Sequence, residues 1–333
     1  MKIKKISIKK NYFKEIDYKL LALLLKDQSS GRNIIWATIN HSKNTSNQQE
    51  ITLECFDKKY SNQIKPRITK NKKEQQLRIK NKAEVFTPSY ICNKQNNLID
   101  NNWFGYENVF NVENDKTWIT NKNKILFLNN KTWKDYVKLN RMEISCGEAP
   151  YLVSRYDTTT GKFININNRI GLLDRKIRII NENIEDQTEW VEWVYKAFQA
   201  TYGYEWQGDS SLIARQNLLF SFIDYYLAKF HSFPIKKYLL KIARIISWNI
   251  FQMDGLKFVI PNSCKSDVSQ QMILINIGNE WIFNSENLEE KYAKCQGCLK
   301  NNQYMHNGIY CKIMDWDKKH SIKFISLFKK EKK

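Results

Sequence analysis

Arg141-Met142-Glu143-Ile144-Ser145-Cys146-Gly147 is the stretch whose reading decides the fold. An acid-led apolar strand, Met142–Cys146, runs there straight into a Cys-Gly turn. Upstream stands Val85-Phe86-Thr87-Pro88, and acidic strand ends recur downstream at Glu205 and Asp254. A glycine turn at a strand end lets backbone N–H groups approach a ligand closely. Acids on neighbouring strand ends then accept hydrogen bonds from its hydroxyl and amine groups. In this order the boxes predict a nucleotide-like cofactor held by an open α/β sheet.

Helical and strand periods extend the pattern on both sides. Ile170, Leu173, Ile177 and Ile180 predict an amphipathic helix over 168–182, and Trp190, Val194 and Phe198 predict a second. Tyr202–Trp206 reads as a short strand. Gly208-Asp209-Ser210 starts a long helix through Leu212, Leu219, Phe222 and Tyr226. Pro234 opens another that ends near Trp248, and Asn249–Met253 is a strand running into Asp254-Gly255. A turn of helix is expected from Tyr151, followed by a polar loop at Thr158–Lys162. Strands alternating with helices of this length indicate a parallel sheet. Beyond Pro261 the alternation fades into a hairpin around Gly278-Asn279 and strands at Ile309–Trp316 and Ile322–Phe328. Ahead of the sheet, a helix is expected at Ile16–Lys26 and a strand at Asn33–Thr38. The organisation expected is a basic N-terminal region (1–80), an α/β domain (81–260) and a β-rich C-terminal segment (261–333).

Composition bears on the partners. Hydrophobic residues at 42% and aromatics at 13% exclude a disordered chain. The net charge of +20 favours a polyanion, because neutralising phosphates releases counterions. Lys65, Arg67, Lys70, Lys72, Lys73, Arg78, Lys80 and Lys82 recur among Gln and Asn, either as a phosphate track or as a solvated helix and loop. Leu20–Leu25 is too short for a membrane span and Met1–Lys10 is followed by no apolar core, so no membrane partner is expected. Seven cysteines fit a reducing cytoplasm better than a disulfide framework.

Taken together, the boxes resemble the adenine-specific DNA methyltransferases of bacterial restriction-modification systems. The strings Ala83–Asp100 and Glu148–Thr159 look closest to the standalone proteins described as restriction endonuclease subunit M. The resemblance covers about 85 to 260. It implies a Rossmann-like methyltransferase sheet binding S-adenosylmethionine, with Phe86, Thr87 and Pro88 folding over the cofactor. Glu143, Cys146 and Gly147 match the leading acid and Cys-Gly of the family's Asp-Pro-Ala-Cys-Gly-Thr-Gly strand, whose second glycine is here Ala149. Tyr202–Glu205 resembles the second strand, whose acid holds the ribose hydroxyls. Phe251–Asp254 resembles the third, whose acid faces the adenine amine.

The family's catalytic Asn/Asp-Pro-Pro-Tyr/Phe loop has no counterpart among the five prolines, Pro66, Pro88, Pro150, Pro234 and Pro261. Without it a target adenine has neither positioned acceptors nor a stacking platform. The resemblance therefore implies an incomplete sheet and the methyltransferase subunit of a split enzyme. Such a subunit would act on double-stranded DNA with no catalytic residue of its own, the loop being supplied by a companion chain. The alternatives are a non-catalytic DNA-binding or regulatory protein on a methyltransferase-like fold, and a methyltransferase acting on RNA or protein.

Cys295-x-x-Cys298, His306 and Cys311 have zinc-like spacing and predict one structural zinc, against free thiols in a loop. No His-Glu-x-x-His pattern supports a hydrolytic metal. Cys146 has no histidine nearby in sequence and reads as a small buried strand residue.

Overall fold

The computed structural model describes residues 18–37, 48–56, 64–82, 84–265, 274–277, 280–283 and 295–328. In chain order these form α1 (Tyr18–Leu25), α2 (Lys72–Lys82), α3 (Ser89–Phe104), the hairpin β1–β2 (Asn111–Asn114, Thr117–Thr120), α4 (Trp133–Lys138) and β3 (Arg141–Glu143). Next come α5 (Leu172–Asn183), α6 (Gln187–Gln199), β4 (Thr201–Glu205), α7 (Gly208–Phe230), α8 (Lys236–Asn249) and β5 (Ile250–Gln252). The hairpin β6–β7 (Leu274–Ile277, Glu280–Phe283), the short helix α9 (Gln296–Leu299) and the hairpin β8–β9 (Lys312–Asp315, His320–Lys323) follow.

The central sheet is parallel and three-stranded, in the order β3-β4-β5, with Glu143 opposite Gly203 and Gly203 opposite Ile250. Among the described residues β3 pairs only with β4, so its other edge carries no strand. The class is α/β, as the alternation predicts. No helix among the described residues is long and apolar enough to cross a membrane.

Side chains alternate across this sheet, as strand geometry requires. Cys146 and Ile250 join the helix-side core, with Leu173, Ile177 and Ile180 of α5, Trp190, Val194 and Phe198 of α6, and residues of α7 and α8. Tyr204, Phe251 and Met253 enter a second cluster with Ile313, Phe324 and Ile325. The C-terminal segment thus covers the face that the helices leave open.

Local chemistry sets the helix starts. Asp186 caps α6 by accepting from the Glu189 N–H at 2.8 Å, and such a cap is worth about 1 kcal/mol. Gly208 opens α7 because a Cβ there would lie 2.0 Å from the Ile35 carbonyl oxygen. The N-terminal residues pack into the main body: Leu20, Leu21, Leu24, Leu25 and Ile34 lie in the helix-side core. Arg215, fully buried on α7, donates to the carbonyls of Leu24, Lys26 and Ile250. One core therefore spans both sides of residue 80.

Three expectations are corrected. Strand β3 ends at Glu143 rather than Cys146, because Ser145, Gly147 and Ala149 all take left-handed backbone conformations. No helix forms at Tyr151; the chain runs through turns until Asp174 accepts from the Ser154 and Gly171 N–H groups and α5 begins. The segment expected as a strand from Asn33 makes only isolated bridges at Asn33 and Ile35, and the Gln252 side-chain amide binds both backbone groups of Ile35. Ile16, Thr38, Met272 and the Gly278-Asn279 turn lie outside the described residues.

Candidate functional site

The Cys-Gly turn forms the centre of the candidate site. The Cys146 N–H donates to the Tyr204 carbonyl at 2.8 Å, extending the ladder just past β3. Gly147 then takes φ +53°, and the Phe86 ring lies 3.4 Å from where a Cβ on it would stand. Its N–H donates to Glu205 Oε2 at 2.8 Å, while the Gln207 N–H donates to Oε1 at 3.0 Å. Phe86, Gly147 and Glu205 are thereby brought into one group at the carboxyl ends of β3 and β4. Ala149, two residues on, also takes a left-handed φ of +63°. A non-glycine residue held there costs about 1–2 kcal/mol.

Thr87 and Pro88 serve the loop that supports this group. The Thr87 carbonyl accepts from the Thr158 hydroxyl at 3.3 Å, and the Pro88 carbonyl accepts from the Ile91 N–H as α3 begins. Asp157 accepts from the Ser89 N–H and from the Thr159 and Thr160 N–H and hydroxyl groups. Burial opposes its ionisation, but these hydrogen bonds outweigh that and hold the carboxyl at about 2.

Buried acids crowd the turn. Burial pushes the Glu205 carboxyl above its usual range, against the two N–H groups that favour its charge. Glu148 receives the Arg67 N–H at 2.6 Å and the Tyr156 hydroxyl, and burial raises it too. Glu143 is raised well above the usual carboxylate range: burial is the main cause, opposed by the N–H groups of Tyr151 and Leu152. Its Oε2 is buried with no hydrogen-bond partner among the described residues. A buried, unpartnered carboxylate oxygen is costly unless a donor reaches it.

Glu143 gives a pH-dependent prediction. Its folded-state pKa lies above the unfolded value of about 4.3. The folded chain therefore binds this proton more tightly, and the associated stability is lost as pH rises through the raised folded value. Glu143→Gln should flatten the decline in melting temperature as pH rises above the unfolded value of about 4.3. A variant that melts lower at the alkaline end, with the wild-type slope, would contradict the assignment.

Asp254 engages its carboxylate within its own turn. Its Oδ1 accepts from the Leu256 and Lys257 N–H groups of its own turn, and Oδ2 lies 3.6 Å from Lys257 Nζ. Cys146 packs its sulfur against Gly203 and is fully enclosed, and burial pushes its thiol well up. Its burial is as expected, although it stands beyond the end of β3 and not within it.

The metal-ligand set differs from the expected one by one member. Sγ atoms of Cys264, Cys295 and Cys298 lie 3.7, 3.5 and 3.7 Å from His306 Nδ1. All four donor atoms fall within 4.8 Å of one another. Tetrahedral zinc with Zn–S of about 2.3 Å and Zn–N of about 2.0 Å needs S···N separations of about 3.5 Å, so these four residues could hold a metal ion. Cys311 is excluded because it enters the second core: its N–H donates to the Phe258 carbonyl and its Sγ to the Gln252 carbonyl at 3.3 Å. Cys264 escapes sequence reading because a ligand so far from a Cys-x-x-Cys pair carries no spacing signal. Glu148 and Arg67 are likewise invisible until the fold joins them.

An open groove of about 580 Å³ lies at the opposite ends of the strands, between Arg141, Met142, Tyr202, Met314 and Trp316. It holds none of the residues expected at the site. No protein-family model, curated protein or solved structure matches this chain.

Proposed function

We propose that this chain is the cofactor-binding subunit of an adenine-specific DNA methyltransferase of a restriction system, binding S-adenosylmethionine at the Gly147 turn on a Rossmann-like sheet. The observation that carries the reading is the Phe86 ring standing where a side chain on Gly147 would point, with the Gly147 N–H held by the Glu205 carboxylate. The acids fit the ligand's charge. S-adenosylmethionine carries a sulfonium and an ammonium; Glu143 offers a buried oxygen with no donor among the described residues, and a cation beside it would favour its charged form. Each Glu205 oxygen keeps a lone pair after its backbone bond, enough to accept from ribose hydroxyls.

The edge of β3, which carries no strand among the described residues, supports a companion chain that extends the sheet and brings the Asn-Pro-Pro-Tyr loop, because uncovered edges are templates for strand addition. Methyl transfer from the sulfonium to an adenine amine needs positioning more than a strong base. This chain's part is to orient the donor and enclose it. The ion at Cys264, Cys295, Cys298 and His306 is zinc in this reading, since a thiolate-rich closed set suits it.

Calorimetry tests the cofactor. The wild type should bind S-adenosylmethionine, and Glu205→Ala should weaken binding by roughly 1–3 kcal/mol through loss of a buried polar partner. Absence of heat at millimolar cofactor would leave the regulatory alternative standing. Methylation of duplex DNA should appear only on co-expression with the companion chain.

A further inference from the structure

We propose that the outer stripe of α2, formed by Lys72, Lys73 and Lys80, is a docking surface for the phosphate backbone of double-stranded DNA beside the candidate site. The basic stretch divides into two roles. Lys70 is buried with its Nζ on the Lys65 carbonyl at 2.7 Å, and Lys65 pairs with Glu74 at 3.2 Å. The Arg67 guanidinium lies over the Phe86 ring at 5.2 Å. Arg78 donates two bonds of 2.6 Å to Glu84 and pairs with Asp209 at 2.7 Å. These groups anchor the segment.

What they anchor is a helix with no apolar core face. Arg78 is its only buried residue among those described, while Leu77 and Ile79 are exposed. A helix polar on all sides gains little from packing, yet a buried ion network fixes this one to the start of α7. Arg67, next to it in the chain, covers Phe86 of the Gly147 group. Lys72, Gln76 and Lys80 recur every four residues, with Lys73 alongside, and all four are exposed. At 1.5 Å per residue the stripe spans about 12 Å. It presents no aromatic side chain for stacking, which favours a duplex over a single strand. No acid pairs with these three lysines among the described residues.

This inference rests on the proposed reading of the chain as part of a DNA-modifying enzyme, and the two can fail separately. Binding of a fluorescent duplex, without cofactor, is measured by anisotropy against salt. Replacing Lys72, Lys73 and Lys80 together by glutamine should lower the salt slope by about three, since each phosphate contact contributes about 0.9. A fourfold rise in salt then costs the wild type about 40-fold more affinity than it costs the variant. Arginine at the same three positions should restore the wild-type slope.

Lys134, Lys138 and Lys196, which gather over Trp193 at the opposite ends of the strands, provide a charge-matched control. Their glutamine variant should keep the wild-type slope. An unchanged slope in the α2 variant, or an equal loss in both variants, overturns the proposal. Cofactor calorimetry on the α2 variant should match the wild type, so loss of the cofactor reading alone would leave the DNA result standing.

Discussion

Asp100→Ala is expected to destabilise the protein by about 3–5 kcal/mol, the cost of stripping one partner from a buried ion network. Asp100 is fully buried on α3 and accepts from Arg175 at 2.7 Å, Arg141 at 3.1 Å and the Tyr136 hydroxyl at 2.9 Å. Arg175 is itself buried and reaches Asn93 and Asn97 of the same helix. Removing the carboxylate leaves the Arg175 guanidinium with amide acceptors but no counter-charge. Since a domain's total stability is about 5–15 kcal/mol, the loss would be plain in urea denaturation. Asp100→Leu combined with Arg175→Met should recover much of it, because well-packed apolar groups can replace a buried pair. A change within about 0.5 kcal/mol for Asp100→Ala, the range of surface substitutions, would mean that the network is not formed.

The second large effect concerns the metal. Protein purified without chelator should carry about one equivalent of zinc, as a closed structural site does. Cys264→Ser should lower that content and the melting temperature together. Cys311→Ser should leave metal content unchanged, because Cys311 is a fully enclosed core residue against Gln252. The opposite pattern, with zinc lost from Cys311→Ser and kept in Cys264→Ser, would restore the set read from sequence spacing alone.

Those two regions also mark what a sequence discloses. Elements with a strong signal are legible: α5, α6 and α7 stand where apolar spacing puts them, and α8, β4 and β5 where Pro234 and the acidic strand ends put them. Phe86, Gly147 and Glu205 are legible as a set because a Phe-Thr-Pro box, a glycine turn and an acidic strand end each mark one of them, and the fold brings them together. The α3 network is not legible. Asn93, Asn97 and Asp100 recur at helical spacing but are polar, and polar spacing normally marks a solvated face. Strand β3 stops earlier than its apolar run suggests because left-handed Ser145 and Ala149 carry no glycine signal. Motif order sets Asp254 beside Glu205, whereas its turn directs the carboxylate to its own N–H groups.

The second face of the sheet has a consequence for synthesis. Tyr204, Phe251 and Met253 are covered by Ile313, Phe324 and Ile325, which leave the ribosome well after them. A nascent chain can close its helix-side core once α8 has emerged, yet it must wait for residue 325 to shield the other side. At about 5–20 residues per second, the apolar face stays only partly covered, by Ile35, Ala37, Phe258 and Ile260, for several seconds. Premature termination anywhere between β5 and Phe324 would make that exposure permanent, giving a product with native helices and an adhesive sheet.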